Sequence, residues 1–123
     1  MSEYEELPLT SDMMIDQLKE MESMEEGFVD SLLQMFQDDY NEKIVSMEKA
    51  LESNSLTSFA ENAHSLKGSA GNLGMERLAK VFATLQTAGF NNDMDTCKVN
   101  FPIAKDLVGP SMEGVRSRIA SGD

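Results

Sequence analysis

His64 is the single histidine of the 123-residue chain, within Ala63-His64-Ser65-Leu66-Lys67-Gly68-Ser69-Ala70-Gly71-Asn72-Leu73-Gly74. On a helix, Lys67 at i+3, Gly68 at i+4 and Gly71 at i+7 share the face of the imidazole. Such a face exposes a nucleophilic ring nitrogen, sets a cation beside it and clears the neighbouring surface of side chains. A neutral imidazole has one nitrogen free to attack an electrophile.

The residues alone leave alternatives open. A surface residue without a role, a helix-packing residue and a functional nucleophile all fit the spacing. A metal site fits poorly, because there is no second histidine and Glu61 at i−3 offers a single carboxylate. No Ser/His/Asp or Cys/His group assembles around it. Glycine inside a helix costs about 1 kcal/mol relative to alanine. Gly68 therefore marks either a neutral substitution or the close approach of another backbone from outside.

The elements that must hold this face are helical throughout. Pro8 precedes two candidate N-caps, Thr10 and Ser11. A short first helix over about 12–22 carries Met14, Leu18 and Met21 on one face. Val29, Leu32, Phe36, Tyr40, Ile44, Met47 and Leu51 then recur at threes and fours along a second helix. The third helix buries Phe59, Ala63, Leu66, Ala70 and Leu73, which puts His64 and Lys67 at the edge of its stripe. Gly71-Asn72-Leu73-Gly74 should end it, with Gly74 serving the turn. A fourth helix runs from about Met75 to Ala88 and stops at Gly89. The segment from Met94 to Ile119 keeps helical spacing but contains Pro102 and Pro110, so a kink or interruption near Gly109-Pro110 is expected. The expected fold is all-α: an antiparallel up-down four-helix bundle with a short additional N-terminal helix. The expected boundaries are a flexible lead-in over residues 1–9 and one bundle domain over residues 10–120.

Composition narrows the partners. A formal charge of −12, with ten dispersed basic residues, argues against nucleic acid and against an anionic membrane surface. One cysteine, Cys97, cannot form an internal disulfide. The start MSEYEELPLTSD is no signal peptide, and no apolar run is long enough to span a membrane. A cytoplasmic protein is expected, with the nucleus open if the source is eukaryotic. No Walker or other Gly-rich nucleotide loop is present.

The run from His64 to Gly74 resembles the motif H-x-L-K-G-S-[SA]-x-x-[LI]-G of histidine-phosphotransfer (HPt) domains. The likeness extends over about residues 12–119, and includes Phe28-Val29-Asp30-Ser31-Leu32-Leu33-Gln34-Met35-Phe36 on the preceding helix. Gln86 stands 22 positions after the histidine, as a glutamine does in fungal single-domain members. This resemblance implies that His64 is a phosphoacceptor and that Lys67 offsets phosphoryl charge. It further implies that Gly68 and Gly71 give a partner room, and that Gln86 hydrogen-bonds near the imidazole. The implied partners are the receiver domain of a hybrid histidine kinase, whose phospho-aspartate is the donor, and the receiver domain of a response regulator. No cofactor is implied for this chain; Mg2+ is expected on the receiver partner only. The chain would be a carrier without kinase activity of its own, and a monomer. Met14, Leu18 and Met21 are candidates for the docking surface, or else cap the core. Two departures stand out. The position four beyond the glutamine, often arginine in fungal members, is Phe90, and Gly71 replaces the usual serine or alanine. The rival reading is a structural or adaptor bundle in which His64 is incidental.

Overall fold

The computed structural model describes residues 3–121. Five α-helices follow a single 3-10 helix at Glu3–Glu6: α1 Asp12–Met24, α2 Phe28–Glu52, α3 Leu56–Asn72, α4 Glu76–Phe90 and α5 Met94–Ser121. No strand occurs among the described residues. Consecutive helices α2, α3, α4 and α5 pack side by side, while α1 rests on α2 and α5. Short connections force each helix to run back along its predecessor. The all-α bundle with an N-terminal helix is therefore present. A four-helix bundle is nevertheless the wrong count: α1 is a substantial helix of 13 residues that inserts Ile15 and Leu18 into the core.

Local chemistry sets the helix ends. Ser11 caps α1, its Oγ accepting from the Met14 N–H at 3.3 Å. Gly27 takes φ +88 before α2, and the Glu22 carboxylate bridges back to that end. The N–H groups of Gly27 and Val29 donate to it at 2.7 and 2.9 Å. These two bonds, Gly27 first, hold the Glu22 carboxyl below its ordinary range. At the end of α3, Gly74 takes φ +76, Met75 N–H donates to Ala70 O at 3.0 Å and Gly74 N–H to Gly71 O at 3.0 Å. This pairing satisfies carbonyls that the helix end would leave orphaned. A Cβ on Gly74 would also approach Met14 Cβ at 3.3 Å, so the positive φ and the closeness of α1 both favour glycine at this turn.

Two expectations change. The segment expected as a flexible lead-in over residues 1–9 is packed where it is described; residues 1–2 lie outside the described residues. Tyr4 is 2% exposed, and its hydroxyl donates to Asn100 Oδ1 on α5 at 2.7 Å. Arg77 on α4 donates from Nε to the carbonyl of Leu7 at 2.9 Å. Second, Met94–Ser121 is one uninterrupted helix despite Pro102 and Pro110. Each proline removes a hydrogen bond to the carbonyl four residues back, on Lys98 and Asp106. All four residues are exposed, which puts the two prolines on the solvent side of the helix while Cys97, Phe101, Ala104 and Val108 stay in the core.

The tightest contact in the bundle lies between α3 and α4. Gly89, expected to stop α4, is inside it and buried against α3. A Cβ built there would lie 2.8 Å from Ala60 Cβ and 2.9 Å from Leu56 O. Gly89→Ala should therefore lower stability by about 1 kcal/mol or more, overpacking outweighing the gain in helix propensity. Urea unfolding would read this as a lower midpoint at unchanged slope.

Candidate functional site

The third helix divides cleanly between core and solvent. Phe59, Ala60, Ala63, Leu66 and Ala70 are buried, whereas His64 and Gly68 are exposed and Lys67 and Gly71 half-buried. The imidazole is fixed from the neighbouring helix: His64 Nδ1 lies 3.2 Å from Oε1 of Gln86 on α4. Gln86 Oε1 only accepts, so the pair requires Nδ1–H to donate. The neutral ring then carries its lone pair on Nε2, away from the glutamine.

The surface beside the ring is open. A Cβ at Gly68 or at Gly71 would meet nothing within 4 Å, so neither glycine is demanded by packing inside the chain. Lys67 has no ion-pair partner among the described residues. The residue lies three positions, about one helical turn, from His64, with about 5–6 Å between Cβ atoms. His64, Lys67, Gly68, Gly71 and Gln86 are thus brought to one face.

The first helix distributes its candidates differently. Leu18 is 2% exposed and part of the core, so the expectation that it lines a docking surface is corrected: with Ile15 it forms the inward i, i+3 pair of α1. Met14 is half-buried beside Gly74, and Met21 is 44% exposed. On the other flank of α3, a groove of about 480 Å3 opens between α2 and α3, lined by Leu32, Met35, Phe36 and Asp39 and by Ser69, Asn72 and Leu73. The periodicity of α2 placed Leu32 and Phe36 on the buried stripe, and nothing in it signalled a depression there. No group of three or more His, Cys, Asp or Glu side chains capable of holding a metal occurs among the described residues. Cys97 is buried, and burial pushes its thiol up, with Asp93 adding to the effect.

The Hpt domain family matches residues 31–109, which include the whole of α3 and α4. The chain belongs to the Hpt domain family. Its fold matches the crystal structure of histidine-containing phosphotransfer protein B (HptB) from Pseudomonas aeruginosa PAO1 with a TM-score of 0.80. That match covers 94% of this chain and 97% of the other at 21% identity. No curated protein matches the sequence. As an Hpt domain protein, the chain is a His-to-Asp phosphorelay intermediate between a sensor kinase and a response regulator. No helix among the described residues is long and apolar enough to cross a membrane.

Two outcomes follow from the geometry of this Hpt face. Gly68→Ala should raise stability by about 0.5–1 kcal/mol, because the methyl enters open space and only helix propensity changes; thermal unfolding measures it. Nitrogen-15 NMR of His64 should show the Nδ1–H tautomer dominant, and Gln86→Ala should shift the ring toward Nε2–H.

Proposed function

We propose that His64 is the phosphoacceptor of this Hpt protein. The receiver domain of a hybrid sensor kinase would be its donor and the receiver of a response regulator its acceptor. The observation that carries this reading is the imidazole itself. It is exposed on α3 and tethered through Nδ1 to Gln86, which leaves Nε2 outside that bond, and Gly68 one turn on keeps its own surface clear.

The step is an in-line displacement at phosphorus. The Nε2 lone pair attacks the phospho-aspartate of the donor as the P–O bond to the aspartate breaks, and the carboxylate leaves with the bonding electrons. His64 keeps the proton on Nδ1, so no base is required. In the second half-reaction the aspartate of the next receiver attacks the same phosphorus, and Nε2 leaves with its electron pair. Positioning and charge stabilisation account for most of such a reaction. Lys67 sits where it offsets charge on the phosphoryl oxygens through one helical turn. Gly68 and Gly71 admit the partner's backbone. Mg2+ is assigned to the receiver.

The chain offers no nucleotide loop, and we assign it no kinase activity of its own. We further assign it a monomeric state, a cytoplasmic location and one domain that takes in the packed residues before 10 together with 10–120. Nothing in the fold favours the nucleus. Met21 and Met14 remain candidates for the rim of the docking surface; Leu18 does not.

Incubation with a receiver domain carrying radiolabelled phosphate on its aspartate tests the assignment. Wild-type protein should acquire an acid-labile, alkali-stable label, and His64→Gln should acquire none. Gly68→Gln should fold normally yet accept label about 100-fold more slowly, since small misplacements of reacting atoms are that costly. Absence of label on the wild type would leave the adaptor bundle as the better account.

A further inference from the structure

The geometry points to Phe90 as an aromatic docking anchor for the receiver partner, and hence as a residue that determines which receivers this protein serves. This rests on His64 being the phosphoacceptor.

The chain has eight aromatic side chains, six Phe and two Tyr. Tyr4, Phe36, Tyr40, Phe59, Phe82 and Phe101 are buried, and Phe28 is half-buried. Phe90 is the exception, at 52% exposure, and the bundle gives it no core to join. A single exposed apolar residue is ordinary on a protein surface. The position of this one is what distinguishes it.

Phe90 lies four residues beyond Gln86 on α4, so its side chain stands on the same helical face, with about 5–6 Å between Cβ atoms. Gln86 is in contact with His64. The seam beside it is fixed, because Gly89 is wedged against Ala60 and Leu56 of α3. Phe90 therefore sits beside the first half of α3, one helical turn beyond the glutamine that contacts the imidazole.

Phosphoryl transfer requires the partner's aspartate within bonding reach of Nε2, which centres the partner on His64. An interface of ordinary size covers about 800 Å2 on each side, a disc of about 16 Å radius. A smaller, transient one still extends well past a single helical turn. Phe90 thus falls inside the footprint of any receiver that reaches His64. Exposed aromatics near the centre of a footprint carry a disproportionate share of binding energy. The last turn of α4 holds no basic residue, so this flank offers the partner apolar area and no cation. The receiver that fits it presents an apolar socket next to its phosphorylation site.

The test measures phosphoryl transfer from a receiver domain, charged with acetyl phosphate, over a range of receiver concentrations. Phe90→Ala should raise the half-saturating concentration about tenfold. The rate at saturation should stay within about twofold, and Phe90→Tyr should restore wild-type behaviour, because Tyr keeps the aromatic surface. The ratio between variant and wild type should be the same at low and at about 0.5 M salt, as befits an apolar contact. Direct labelling by phosphoramidate, which needs no docking, should be unchanged. If Phe90→Ala does not fold, as circular dichroism would show, Phe90→Gln replaces it in the same series. An unchanged half-saturating concentration overturns the anchor while leaving His64 as phosphoacceptor. An equal loss of labelling by phosphoramidate also overturns it, since the defect would then lie in the histidine itself. A wild type that no receiver labels removes the carrier assignment, and the anchor with it.

Discussion

The approach of α4 to α3 is the constraint on which the rest of the site depends. Gly89 lets the two helices close to a distance at which even a methyl group would collide with Ala60 and the carbonyl of Leu56. Ala60, Ala63 and Ala70, all without measurable exposure, supply small surfaces on the α3 side. Leu66, Leu78, Val81, Phe82 and Leu85 contribute larger side chains to the core shared by the two helices. With the helices this close, a glutamine one turn before Gly89 reaches across to the imidazole. A wider separation would leave His64 a free rotor. The hydrogen bond that defines the ring's tautomer is thus a consequence of a packing decision three residues away.

The third helix is stable because of its buried side and useful because of its exposed one. Gly68, in the interior of the helix, weakens it by about 0.5–1 kcal/mol relative to alanine, with no compensating contact inside the chain. Its core face can offset that: Phe59, Ala63, Leu66 and Ala70 are essentially inaccessible, and Phe59 makes an edge-on contact with Phe101 at 5.3 Å between centroids. Helical stability in proteins comes mostly from such packing rather than from propensity. The exposed face can therefore be depleted of side chains without unwinding the helix.

Much of this was legible in sequence, and the failures have physical causes. The stripe of α3 is legible because that helix buries one continuous face. The stripe of α2 holds at Val29, Phe36, Tyr40 and Met47 but slips by one residue where Leu33 and Ala50, not Leu32 and Leu51, turn fully inward. The expected face of the first helix is off by one position: Met14 and Ile15 are adjacent apolar residues that both lie against the Gly74 turn, and tertiary packing buries Ile15 while Met14 stays half-buried. Tyr4 was missed because its partner Asn100 lies 96 residues away, beyond any local pattern. Gly89 was read as a helix stop because glycine marks both chain reversal and close approach, and tertiary contact alone separates them. The prolines of α5 misled for a related reason. Their cost depends on whether they fall on the solvent side of the helix, and here both prolines, with Lys98 and Asp106, are exposed.

A carrier must release what it binds, and the sparseness of this site suits that demand. His64 lies near the middle of α3, away from the helix N-terminus whose backbone N–H groups would grip a phosphoryl group. Around the ring stand one cation on a flexible stem, one amide already engaged with Nδ1, and two glycines. Stabilising the phosphorylated state strongly would lower the energy of the intermediate more than that of the transition states on either side of it, and so slow its discharge. The remaining stabilisation has to arrive with each receiver and depart with it. For His64 as the phosphoacceptor we propose, the poverty of donors around the ring is what would keep transfer reversible, with the choice of partner left to the surface flanking it.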